Sequence, residues 1–419
     1  MISGNAMVGQ SGGPTSVINS SLCGVIKEAK RQKKIRRLFG AVNGIEGVLN
    51  EELVDLFAES MDSINGLKTR PGAALGACRY MIKSDDVNDK DIIRVFDIFK
   101  KYDIRYFFYN GGNDSMDTAN KIDNAAKKLG YDLRVIGIPK TIDNDLVGTD
   151  HCPGYGSSAK YIITSVMEAG IHTASMYTSE PVTIMVTVGR NAGWLPAASC
   201  LAKRKPEDAP HIICFPEIPF NKDVFLKEVE RVYKAVGGVF IVTGEGLKDM
   251  DGNYINAEYE AMALDAFGHP KLGGVAETLK EMIEENLKLK TRWIKPDICQ
   301  QAAMHLASAV DIREAEMCGR AAVKYGIEGK SGFMVTLERV AGEEYISKTG
   351  LIELSSVANV DRLVPIEFIN KEGNFVSDKF YSYFKPLIQG EVRIKIKDGF
   401  PYYPELQMVR IESTYEEIC

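Results

Sequence analysis

Short apolar runs alternate with segments of helical spacing along most of this chain. Ala6–Gly9, Leu38–Val42, Tyr106–Tyr109 and Val135–Ile138 read as strands in its first part, and Val182–Val188, Ile212–Phe215 and Val239–Thr243 in its second. Between them Ile18, Leu22, Val25, Ile26 and Ala29 recur at helical spacing, as do Met116, Ala119, Ile122, Ala126 and Leu129, with Gly130 where a C-cap glycine belongs. A further helix follows Gly193, and another covers 221–236. Strand–helix alternation of this kind requires parallel strands joined by crossover helices. Ligands of such sheets bind at the carboxyl ends of the strands. With 419 residues the chain exceeds what one core holds, so two α/β domains are expected. The region 340–419 shows no readable period.

Two glycine patterns carry no function. Gly326–Ser331 reads GIEGKS, but Lys324 stands where a phosphate-binding P-loop needs its first glycine, and a strand-like run follows instead of a helix. Gly154, Gly156 and Ala159 match a dinucleotide fingerprint without a preceding apolar strand, so a glycine-rich turn is expected there.

The formal net charge is −6, which argues against nucleic acid as a partner. An anionic substrate must then be held by local cations. The eight cysteines are scattered without a C-x-x-C pair, as in a reduced, cytoplasmic protein. Five histidines without metal-ligand spacing give no expectation of zinc. No signal peptide is expected from the first residues, and no apolar run is long enough for a membrane span.

Three loops at strand ends carry chemistry. Gly12-Gly13-Pro14-Thr15-Ser16 follows the first strand; its glycines let the backbone approach a phosphate, although Ser16 also suits a plain N-cap. Gly111-Gly112-Asn113-Asp114-Ser115 repeats the device and adds oxygen atoms suited to Mg²⁺ beside a phosphate. Pro139-Lys140-Thr141-Ile142-Asp143-Asn144-Asp145 sets two acids and a lysine in an extended loop. A phosphoryl acceptor needs a base and its phosphates need cationic support, and Asp143 and Lys140 can supply both.

Pro139–Asp145 resembles the signature loop of the phosphofructokinase family. The glycine loops, Val188-Gly189-Arg190-Asn191-Ala192-Gly193-Trp194 and Gly244-Glu245-Gly246 fall in the family's order, and the similarity runs to about residue 340. The resemblance implies two Rossmann-like domains with mainly parallel sheets and an active site in the cleft between them. The first, 1–150 with a return near 300–350, would hold the donor; the second, 151–299, would hold fructose 6-phosphate, with 351–419 packed on them. It implies phosphoryl transfer to the sugar 1-hydroxyl with Mg²⁺, in a homodimer or homotetramer. Asp143 would be the base, with Thr141, Ile142 and Asp145 in the same site. Val188, Gly189 and Arg190 would hold the sugar phosphate, and Glu245 the sugar hydroxyls. Arg292 would reach the 6-phosphate from a neighbouring subunit. Gly12, Gly13, Gly112 and Arg79 would contact the donor.

The donor itself is implied by Asp114 and Lys140. Members that use ATP carry glycine at both positions, whereas pyrophosphate users carry Asp and Lys. A carboxylate at 114 fills and repels the place of an α-phosphate, and the ammonium at 140 supports a small donor. Two positions depart from the family. Asn113 stands where many members have a metal-binding Asp, and Gln301 where an arginine for the 6-phosphate is usual. An ATP-dependent member, or a weakly catalytic regulatory subunit, remains the alternative at this point.

Overall fold

The computed structural model describes residues 2–256 and 274–412. Eleven strands form its two main sheets. In chain order they are β1 (Gly4–Gln10), β2 (Ile35–Ala41), β3 (Leu53–Asp55), β4 (Ile104–Gly111), β5 (Arg134–Pro139), β6 (Val182–Val186), β7 (Ile212–Cys214), β8 (Val239–Thr243), β9 (Thr291–Ile294), β10 (Phe333–Val340) and β11 (Ile346–Glu353). The first sheet has the order β11-β10-β5-β4-β1-β2-β3, and the second β7-β8-β6-β9. All neighbours are parallel except the two edge strands of the first sheet, β3 and β11.

Side-chain alternation along the strands explains why both faces are covered. In β4, Phe107 and Tyr109 enter a core with the helices Lys90–Lys101 and Asn113–Lys128, while Tyr106 and Phe108 enter another with Ile18–Ala29 and Ala309–Ile327. In β8, Val239 and Ile241 face the helices Lys222–Val236 and Val275–Leu287, while Phe240 and Val242 face Tyr155–Ser175. A strand buried on both sides reads as a continuous apolar run, which is how these segments read in the sequence.

The seven expected strands are present, with ends shifted by one to three residues, and Val239–Thr243 coincides. The two glycine patterns are structural. GIEGKS ends a helix and turns into β10. Gly154, at φ 113°, opens the helix Tyr155–Ser175, whose first N–H groups donate to the buried Asp311: Gly154 N at 2.9 Å and Ser157 N at 2.8 Å. All described cysteines are free. Among the described residues no helix is long and apolar enough to cross a membrane.

The segment after β11 is irregular because it is a connector between cores. Phe380, Phe384 and Leu387 pack against Trp194 and Tyr155 beside the second sheet. Leu406 then joins the first sheet's core, and Arg410 bridges to Val54 in β3.

Candidate active site

The carboxyl ends of both sheets open into one cavity of about 680 Å³. In the first sheet the chain leaves β1 toward β2 on one side and returns with β4 on the other, so the loops after β1 and β4 flank a topological switch point. These are the two glycine loops. In the second sheet β6 is likewise flanked by β8 and β9, and the loops after these strands bring Val188, Arg190, Glu245 and Gln301 to the same cavity.

Glycine is needed at position 12 for two reasons. Its φ is +73°, and a Cβ there would lie 3.2 Å from Lys140 Nζ. That closeness lets Lys140 cross from the loop after β5 and donate to the Gly13 carbonyl at 2.8 Å. Gly112 caps the sixteen-residue helix Asn113–Lys128, so its first N–H groups and positive dipole end face the cavity.

The loop after β5 is held by its middle residue. Asn144 adopts a left-handed conformation, φ 55°, which Asn tolerates better than most residues. Its buried Oδ1 accepts from Cys152 N at 2.9 Å. Asp143 N donates to Thr141 Oγ1 at 3.1 Å, which closes the turn between them. Asp143 and Asp145 both line the cavity, and the Oδ1 atom of each is closed off without a hydrogen-bond partner.

These positions set the charges. Burial, then the neighbouring charges of Asp145 and Glu245, push the Asp143 carboxyl well above the usual carboxylate range, with Lys140 opposing. Burial and Asp361 push Asp145 upward too. Burial pulls the Lys140 ammonium down to about 8, with Asp143 opposing and Arg79 adding to the fall. A carboxyl and an amine drawn toward neutrality from opposite sides suit proton transfer near neutral pH.

Of the residues singled out in the sequence, Asp143, Lys140, Asp114, Thr141, Ile142, Asp145, Val188, Arg190, Glu245, Gln301, Gly12, Gly13, Arg79, Gly112 and Asn113 all line the cavity. Gly189 stands behind it, its carbonyl accepting from Glu245 N at 3.3 Å. Arg292 lies on β9, half exposed and paired with Glu180. Gln301 faces the glycine loop after β1: its Oε1 is 2.9 Å from where a Cβ of Gly13 would sit, and its carbonyl accepts from Ser16 N at 2.9 Å. Its neighbour Gln300 reaches the other loop, accepting from Val188 N at 3.2 Å.

Sequence reasoning missed Asn359, Asp361 and Tyr254 in the lining, and Lys295, which pairs with Glu245 at 3.0 Å. The first two come from the irregular segment after β11, where no motif marked them. That segment is fixed across the cleft. Arg362 N donates to the Asp145 carbonyl at 2.7 Å, Trp194 Nε1 donates to the Arg362 carbonyl at 2.8 Å, and the guanidinium lies 4.4 Å from the Trp194 ring centre.

Comparisons with known proteins agree with this geometry. The phosphofructokinase family model matches residues 5–325. A pyrophosphate–fructose 6-phosphate 1-phosphotransferase of Xanthomonas campestris pv. campestris is 43% identical over 98% of both chains. A sulfofructose kinase of Alkalicoccus urumqiensis is 32% identical over 87% of this chain and 91% of its own. The crystal structure of a pyrophosphate-dependent phosphofructokinase from Nitrosospira multiformis superposes with a TM-score of 0.89 at 40% identity, covering 98% of each chain. With the signature loop, the two glycine loops and the inter-sheet cleft all in place, the chain belongs to the phosphofructokinase family.

Proposed function

We propose that this chain transfers a phosphoryl group from pyrophosphate to the 1-hydroxyl of fructose 6-phosphate, giving fructose 1,6-bisphosphate and phosphate. The observation that carries the reading is the pairing of Lys140 with the Gly13 carbonyl beside the bare carboxylate oxygen of Asp143. A cation and a base thus meet where the two sheets face each other.

The donor binds on the 1–150 side, against Gly12, Gly13, Gly112 and Arg79, and the sugar phosphate on the 151–299 side, against Val188, Arg190 and Glu245. Asp143 accepts the proton of the 1-hydroxyl as that oxygen forms its bond to the transferring phosphorus. The bridging P–O bond breaks, and phosphate leaves with the electron pair. Lys140 and Arg79 stabilise the charge that gathers on the leaving group. Asp114 closes the volume beyond the second phosphate, where a nucleotide would continue. Because the leaving phosphate is also the attacking group of the reverse step, the same residues serve both directions.

The donor set fits Mg²⁺: hard carboxylate oxygens, two of them bare. Among the described residues no three carboxylates, histidines or cysteines converge on one point, so Asp143 and Asp145 would hold the cation only together with further oxygen ligands, as Mg²⁺ generally requires. When bound, it neutralises phosphate charge. Arg292, half exposed on the edge strand β9, is read as serving a neighbouring copy, and a homo-oligomer is part of this reading.

A donor comparison on purified protein with fructose 6-phosphate and Mg²⁺ tests it. Turnover with pyrophosphate and little with ATP is the expected result. Preference for ATP overturns the donor assignment, and no turnover with either leaves a sugar-phosphate-binding subunit as the better reading.

A further inference from the structure

The cavity is lined by six carboxylates, Asp114, Asp143, Asp145, Glu245, Asp297 and Asp361, against three side-chain cations, Arg79, Lys140 and Arg190. A site that takes two phosphate-bearing substrates with that balance requires divalent charge. Asn113, the residue expected to bind metal, has its side chain engaged elsewhere. Its Oδ1 accepts from Asn359 N at 2.5 Å, and its Nδ2 donates to the Val360 carbonyl at 3.0 Å. These bonds hold the following residue, Asp361, over the cleft. Asp361 Oδ2 accepts from Asn191 Nδ2 at 2.9 Å, and Oδ1 lies 3.5 Å from Asn113 Nδ2. Both contacts are amide N–H donors, which leave lone pairs on each oxygen. Asp361 lines the same cavity as Asp143 and Asp145, whose Oδ1 atoms are buried without a hydrogen-bond partner.

We propose that Asp361 is the carboxylate that ligates the divalent cation accompanying pyrophosphate, with Asn113 and Asn191 aiming it. The inference rests on the donor reading above. It also explains asparagine at 113: an aspartate there would set a second carboxylate against Asp361. The charge has moved from the helix start to the segment that packs on it.

Mn²⁺ binding followed by electron paramagnetic resonance tests this, with pyrophosphate present and sugar absent so that no turnover occurs. Wild type, Asp361→Asn and the exchanged variant Asn113→Asp/Asp361→Asn are compared, with melting temperatures alongside. Asp361→Asn is expected to weaken Mn²⁺ binding by about tenfold or more while melting as wild type does. The exchanged variant, which restores one carboxylate beside one amide, is expected to recover most of the loss. Unchanged Mn²⁺ affinity in Asp361→Asn overturns the proposal, as does an exchanged variant that binds no better than Asp361→Asn. Wild-type protein that retains no Mn²⁺ with pyrophosphate overturns the donor reading and this one together.

Discussion

The ammonium of Lys140 donates to the Gly13 carbonyl at 2.8 Å, so the loop after β5 grips the loop after β1 across the first sheet. Burial holds this amine at about 8, low enough to titrate in the working range of an enzyme. Only the protonated form can pair with a phosphate. The kcat/KM for pyrophosphate is therefore expected to fall as pH rises through about 8. In Lys140→Arg, whose charge does not titrate, the residual activity should lack this limb. A pH–rate profile of both proteins checks it.

Asp114 and Lys140 line the same cavity and, on the proposed reading, face one donor, so their substitutions should not add. Asp114→Gly is expected to admit ATP and impair pyrophosphate use. Lys140→Gly should damage pyrophosphate use and gain little with ATP, since the carboxylate at 114 still blocks. The double variant should have the highest ATP-to-pyrophosphate ratio. Measuring kcat/KM for both donors in all four proteins decides it; an unmoved ratio in Asp114→Gly contradicts the reading.

Asp143→Asn keeps shape and removes basicity. A positioned base contributes ~10²–10⁴-fold, and a loss in that range is expected with the KM for fructose 6-phosphate little changed. Near-normal turnover would remove Asp143 from the role of base.

Gln301, which the family resemblance matches to a sugar-phosphate arginine, has its Oε1 2.9 Å from where a Cβ of Gly13 would sit, on the proposed donor side. Gln301→Arg should then act first on pyrophosphate, lowering its KM by about tenfold and steepening its salt dependence, as one charged hydrogen bond would. A larger effect on fructose 6-phosphate would assign the position to the sugar instead.

His151 is buried between Asp150 at 2.8 Å and Glu314 at 2.7 Å. Burial alone would lower its pKa, but Glu314 and Asp150 carry it from 6.5 up to about 9. A folded-state value above the unfolded one gives stabilisation that is complete below the unfolded pKa and lost as pH rises through the folded one. Roughly 3 kcal/mol should disappear between about pH 6.5 and 9. The melting temperature of wild type should fall over that interval. His151→Gln should melt lower at pH 7 and show a flatter dependence.

The loops were legible in the sequence because each carries its chemistry in consecutive residues at the end of a two-face-buried strand. Lys140, Asp143 and Asp145 could be found together since one short loop holds them all. Asp361 could not, because the segment that delivers it has no period and its neighbours pack against both cores in turn. β9 escaped notice for another reason: Thr291-Arg292-Trp293-Ile294 has two exposed side chains and too little apolar length to read as a strand. The direction Gln301 faces was also beyond a linear reading, because it depends on Ser16 and Gly13, nearly three hundred positions earlier.

The segment that crosses the cleft has a consequence for how activity would arise during refolding. Asn113 and Val360 are 247 positions apart, and Asn191 and Asp361 are 170 apart. Contacts between such distant partners carry a large loop-closure cost and form after local ones. The pairs β1 with β2, β4 with β5 and β7 with β8 join partners close in the chain and can assemble first. Catalytic competence should therefore lag behind the recovery of helical signal, appearing when residues 359–362 settle between the lobes.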